Sequence, residues 1–194
     1  MWLAKFLRRA AFGALLVLCS GAAAHDARPF LHEFGELRVY FKDWLVVCDD
    51  WGKGACRAVY YVLGEDGETF FGESVLRLHR AQTGAPIEIE FFDRGAPEPT
   101  GLMFIRVDGH EIASLSPRTD YSAYMYNGTT QVMETVQFNN RRSVERMIAE
   151  MRAGRWLQFD YQRTATERKQ VNISLRGLTA SLRFIDRQQA RQNR

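Results

Sequence analysis

The chain is poor in cysteine, with three in 194 residues, and poor in proline, with five; its 15 glycines form no repeat and no low-complexity tract. Collagenous and disordered classes are thereby excluded, since glycine, proline and charge dominate those chains. The apolar run within 10–19 has about ten residues, too short to cross a bilayer core of roughly 30 Å, and no later segment is long enough either. Nor is there a phosphate-binding glycine loop, an EF-hand loop or a dinucleotide fingerprint, so no cofactor is expected. A length of 194 residues excludes a large multidomain enzyme but leaves room for one domain with a real core, and 46% apolar with 12% aromatic residues supply the material for it.

What is present begins with a leader. Lys5, Arg8 and Arg9 precede the apolar run, and Ser20-Gly21-Ala22-Ala23-Ala24 follows it, the pattern of a secretory signal peptide with an A-x-A cleavage site. The expected division is residues 1–24 as signal peptide and 25–194 as a single mature domain, periplasmic or secreted; a membrane anchor is the alternative. Cys19 is preceded by Leu18, where lipid modification wants a small residue, and Arg8-Arg9 lacks the fuller twin-arginine motif.

Without the leader the chain carries 23 basic and 23 acidic residues. They are divided: residues 25–139 hold 10 basic and 18 acidic, while 140–194 hold 13 basic and 5 acidic. Either the two parts fold against each other, or the basic C-terminal third offers a patch for an anionic surface such as lipid phosphate or an acidic partner. Nucleic acid is not an expected partner of an exported protein. Cys48 and Cys56, the two cysteines left after cleavage, are expected to pair in an oxidising compartment. The intervening Asp49-Asp50-Trp51-Gly52-Lys53-Gly54-Ala55 reads as a hairpin loop, and closing it should stabilise by roughly 2.5 kcal/mol from chain entropy. The spacing is not C-x-x-C, so redox chemistry is not indicated.

Period-two alternation dominates from residue 36. Leu37, Val39 and Phe41 share one parity and Trp44, Val46 and Cys48 the other, which suggests a bulge or break at Lys42-Asp43. Further strands are expected at 56–62, 73–80, 87–93 and 101–108. Strands at 121–126 and 129–138 around Asn127-Gly128 predict a hairpin with a type I′ turn. Asn139-Asn140 caps a helix with Val144, Met147, Ile148 and Met151 on one face, ending at Gly154. Strands carrying Leu157, Phe159 and Tyr161, then Val171, Ile173 and Leu175, precede a last helix from Leu178. The fold class expected is mainly β, a single-domain antiparallel β-sandwich or barrel with two short helices in the C-terminal half.

Tests for chemistry fail one by one. His32-Glu33 and His110-Glu111 are followed by Glu36 and Ser114 where a zinc-protease helix needs histidine, and no metal is expected. Gly72-Glu73-Ser74-Val75-Leu76 lacks the last glycine of a nucleophile elbow. Glu88 and Glu90 share a strand face roughly 7 Å apart, a spacing a carboxylate pair of a hydrolase uses, although alternating acids usually mark a solvated face. The acidic turn Glu65-Asp66-Gly67-Glu68 reads as an exposed turn ahead of a cation site. Tyr121, Tyr124, Tyr126 and Trp51 are the candidate binding residues, because tyrosine and tryptophan on hairpins and loops make low-entropy contacts with proteins or sugars.

Phe41-Lys42-Asp43-Trp44-Leu45-Val46-Val47-Cys48 with Cys56-Arg57-Ala58, and Ser174-Leu175-Arg176-Gly177-Leu178-Thr179-Ala180-Ser181-Leu182, resemble the invasion-associated locus B family and a related family of uncharacterised bacterial envelope proteins. The resemblance implies an exported β-rich domain of Gram-negative bacteria without catalytic residues, with Cys48 and Cys56 as a structural bridge. Family members commonly hold a second cysteine pair in mid-chain, which 114–138 lacks, so the resemblance implies an envelope role ahead of host invasion. The leading expectation is a non-enzymatic envelope or secreted interaction protein with an unidentified protein or envelope partner. A periplasmic ligand- or carbohydrate-binding module is the alternative, and a hydrolase the second.

Overall fold

The computed structural model describes residues 27–63, 73–80, 84–93, 101–126 and 133–192; the side chains of 123–126 and 133–134 lie outside that description. The expected leader, the acidic turn at 65–68 and the Asn127-Gly128 turn also fall outside it. The first strands are β1 (Phe30–His32), β2 (Glu36–Phe41) and β3 (Trp44–Cys48), then the single turn α1 (Asp49–Gly52) and β4 (Cys56–Val62). The chain continues through β5 (Ser74–Arg80), β6 (Glu88–Asp93), β7 (Met103–Val107), β8 (His110–Leu115), β9 (Tyr121–Tyr126) and β10 (Met133–Phe138). It ends with α2 (Arg141–Ala153), β11 (Trp156–Gln162), β12 (Arg168–Ser174) and α3 (Leu178–Gln192).

Two antiparallel sheets result. One has eight strands in the order β1-β2-β3-β4-β5-β6-β10-β9 and the other four, β12-β11-β7-β8. They face each other as a sandwich and are not closed into a barrel. Alternation explains the packing: Val39, Trp44, Val46, Ala58, Leu76, Leu78, Ile89 and Phe91 point inward from the large sheet, and Met103, Ile105, Leu157, Phe159, Val171 and Ile173 meet them from the small one. Phe91 stacks on Phe159 at 4.4 Å between ring centroids, and Phe138 lies near-parallel to Phe159 at 6.0 Å.

The helices close the core as their periodicity predicts. α2 buries Val144, Met147, Ile148 and Met151, and its first turn is capped by Asn140, whose side chain accepts from the Ser143 amide at 3.2 Å. α3 buries Leu178, Leu182 and Ile185 and packs across β2, β3 and β4.

Two expectations about local structure are corrected. The parity switch at Lys42-Asp43 is neither a bulge nor a break within a strand but a two-residue hairpin turn, with Phe41 opposite Trp44 and Lys42 at φ +56°. Strand β8 was hidden because its inward residues Ile112 and Leu115 are three apart. A bulge at Ile112, which is passed over between the pairs Ile105–Ala113 and Arg106–Glu111, breaks the period of two.

Candidate functional site

The two stretches that carry the family resemblance lie about 130 residues apart in sequence and meet in space. The Asp43 amide donates to the Arg176 carbonyl at 3.3 Å, the Ser174 hydroxyl to the Asp43 carboxylate at 2.5 Å, and the indole of the fully buried Trp44 to the Ser174 carbonyl at 2.8 Å. Gly177, at φ +100°, seats its Cα against the Phe41 carbonyl so closely that a Cβ would collide with it. The motif residues thus form a clasp between the β2–β3 hairpin and the lead-in to α3. Their amides, indole and hydroxyl are spent on each other, which makes this cluster structural rather than chemical.

At the other end of β3 from the clasp, Cys48 and Cys56 stand opposite each other in β3 and β4 and form a disulfide, with Cα atoms 4.1 Å apart. The enclosed turn is irregular, with Asp50 and Trp51 at positive φ. It is held from outside by α3: the Gln188 side chain donates to the Gly52 carbonyl at 2.8 Å, and that of Gln192 donates to Gly52 at 2.8 Å and Gly54 at 3.0 Å. Trp51 rests over Gly35, to whose carbonyl its amide donates at 2.6 Å, and it remains 54% exposed.

From this turn a polar band crosses the outer face of the large sheet. Arg57 bridges Glu36 at 2.8 Å and Asp49 at 2.6 Å; Arg38 also holds Glu36. Arg77 pairs with Glu90 at 3.1 Å and lies over the Phe92 ring, and the His79 Nε2 is 3.0 Å from Glu88. Asp49, Arg57, Arg77, His79 and Glu90 line a shallow cleft of about 250 Å³. Glu88 and Glu90 do share a face, but Glu90 is paired with the Arg77 guanidinium and Glu88 is within hydrogen-bond distance of the His79 ring, so both carboxyls already have partners in the sheet. On the small sheet, Asp160 accepts from Arg106 at 2.8 Å and from Arg168 at 2.7 Å. Burial alone raises its pKa, but the two guanidinium hydrogen bonds outweigh that and hold it below the ordinary carboxylate value.

The candidate binding residues do not form one site. Tyr121 is 1% exposed and donates to the Gly101 carbonyl at 2.9 Å; burial pushes its phenol up. Its assignment to a binding surface is therefore corrected: it is a core residue, placed inward by the alternation of β9. Tyr124 and Tyr126 lie on the backbone of β9, and their side chains are outside the described residues. Trp51 sits beside β2, six strands away from β9 in the sheet order, so it shares no site with the hairpin.

Sequence reasoning missed the most concentrated polar cluster. Asp93 is wholly buried between the sheets, where it accepts from the Ser74 hydroxyl at 2.7 Å, from Lys169 Nζ at 2.7 Å and from the Tyr161 hydroxyl. Lys169 also reaches Glu73 at 2.9 Å. Burial first, then the charge of Asp93 and the hydrogen bond to it, pushes the Tyr161 phenol far above its ordinary range. The phenol that donates to Asp93 and the lysine shared by two carboxylates tie the two sheets together across the sandwich. The only available signal was polar residues at inward parity, Ser74 and Asp93. Among the described residues no three of His, Cys, Asp or Glu converge as a metal site, and no helix is long and apolar enough to cross a membrane.

A family model described as "Protein of unknown function (DUF1176)" matches residues 39–194. The fold is similar to that of the crystal structure of invasion associated protein b from Bartonella henselae, with a TM-score of 0.54 and 12% identity over 77% of this chain and 95% of that one. No curated protein matches the chain.

Proposed function

Because the chain belongs to the family Protein of unknown function (DUF1176), whose description assigns no activity, we infer its role from its own residues: an exported, non-enzymatic interaction protein of the bacterial envelope. The observation that carries this reading is the Cys48–Cys56 bond, a cross-link suited to an oxidising compartment. The leader pattern of residues 1–24 and the fold likeness to invasion associated protein b support it. The engagement of Glu90, Asp93 and Lys169 in ion pairs, and the hydrogen-bond contact of Glu88 with His79, speak against the hydrolase. The carbohydrate-binding alternative loses Tyr121 to the core and retains exposed Trp51.

The test is a C-terminal tag followed in intact cells under added protease, beside a known periplasmic control. Protection of the tag until the outer membrane is opened supports a periplasmic protein, and cleavage with the control spared supports one at the cell surface. A tag that stays in the cytosolic fraction, on a chain retaining its first 24 residues, refutes export.

A further inference from the structure

We propose that the outward ridge of α3, formed by Arg183, Arg187 and Arg191, is a docking surface for an anionic phospholipid leaflet. The three arginines recur every four residues, so they stack along one line of the helix, and all are exposed. Like charges at this spacing destabilise a helix, and the acids nearby are used elsewhere. Asp186 serves Arg80 at 3.6 Å and Glu145 serves Arg141 at 2.8 Å; among the described residues no carboxylate pairs with the ridge. Its orientation is fixed as well, because the opposite face of α3 is locked into the core by Leu182, Ile185 and Gln189.

A groove of about 250 Å³ runs beside the ridge, floored by Pro29, Phe41 and Phe184 and rimmed by Arg187 and Arg191. The rings of Phe41 and Phe184 pack 5.7 Å apart. An apolar floor under a guanidinium rim suits an amphiphile, whose phosphodiester oxygens accept from the forked guanidinium while its glycerol and upper acyl carbons lie over the rings. The choice of cation agrees. Residues 140–194 contain twelve arginines and one lysine, Lys169, which is already held by Glu73 and Asp93. Arginine binds phosphate bidentately and sheds water more readily than lysine does. Since residues 25–194 are neutral overall, attraction to a membrane must come from where the charges sit.

The proposal rests on the export reading only for which leaflet the protein meets. Whether it binds anionic lipid is read on the purified chain without its first 24 residues, by co-sedimentation with vesicles of phosphatidylglycerol in phosphatidylcholine and of phosphatidylcholine alone. Binding is expected only with phosphatidylglycerol and should weaken as salt is added. Replacing Arg183, Arg187 and Arg191 together by Gln should lower the affinity at least about tenfold without lowering the thermal midpoint, since among the described residues no carboxylate pairs with the ridge and like-charge repulsion along it is removed. Removing the same charge elsewhere, as Lys53→Gln, Arg118→Gln and Arg163→Gln together, should lower it less than about threefold. Arg187→Glu alone, at the groove rim, should cost about tenfold and needs no triple variant to fold. The proposal is overturned if binding ignores phosphatidylglycerol, if the ridge variant binds like the parent, or if both triple variants lose affinity equally. It is also overturned if inorganic phosphate at matched ionic strength releases the protein, which would make soluble phosphate the ligand.

Discussion

The outer face of the eight-stranded sheet and the outward ridge of α3 are both rich in arginine, yet they are built on opposite terms. On the sheet, Arg38, Arg57 and Arg77 each lie against a carboxylate. On the ridge, Arg183, Arg187 and Arg191 have none among the described residues. The arginines of the sheet face are paired within the molecule, whereas among the described residues those of the ridge are not. A third group of contacts belongs to neither face and joins the N-terminal strands to the C-terminal third: the Asp93 tie, the Asp43–Arg176 clasp and the glutamines over the disulfide turn. Charge at a surface contributes little to stability and much to choosing a partner, whereas charge and hydrogen bonds in the seam do the reverse.

The widest break in this comparison comes from the seam. Lys169→Met leaves the buried Asp93 carboxylate without its cation and should destabilise by about 4 kcal/mol, read as a lowered urea midpoint at constant slope. Gly177→Ala should follow at about 3 kcal/mol, because the methyl group meets the Phe41 carbonyl at a backbone conformation that side chains rarely adopt. Reducing the disulfide, or replacing both cysteines by serine, should remove about 2.5 kcal/mol, checked by denaturation with and without reductant.

On the small sheet, Asp160 gives a pH-dependent contribution. Its folded pKa is depressed, so its stabilisation is complete above the unfolded value of about 3.9 and disappears as pH falls through the lower folded value. Asp160→Asn should flatten that part of an acid-denaturation profile; an unchanged acid limb would mean that the two arginines do not act on it. Smallest of all, Glu90→Gln breaks an ion pair on the open sheet face and should change stability by less than about 1 kcal/mol. A larger effect there would erase the distinction between face and seam.

Much of the fold was legible because single-parity strands and an amphipathic helix announce themselves. Val144, Met147, Ile148 and Met151 marked α2 and Asn140 its cap, and the β11–β12 strands followed from Leu157 and Val171 with their neighbours. Legibility failed where one residue disturbed the period. The bulge at Ile112 concealed β8, and the tight Lys42-Asp43 turn imitated a bulge. The candidate site was less readable still, since a tyrosine on a strand next to a turn can point either way, and the parity that put Tyr121 in the core is set by its partners across the sheet.

By itself the sequence determined most of the elements, the pairing of two cysteines eight positions apart and the unequal division of charge, because all three depend on neighbours along the chain. Only the tertiary structure decided that Asp43 meets Ser174 and Arg176, that Asp93 is buried against Ser74, Tyr161 and Lys169, and that Arg183, Arg187 and Arg191 face outward with no carboxylate paired to them among the described residues. Those outcomes depend on which surfaces of two sheets and two helices come together, and the burial that drives such packing is non-directional and leaves no local trace in the order of residues.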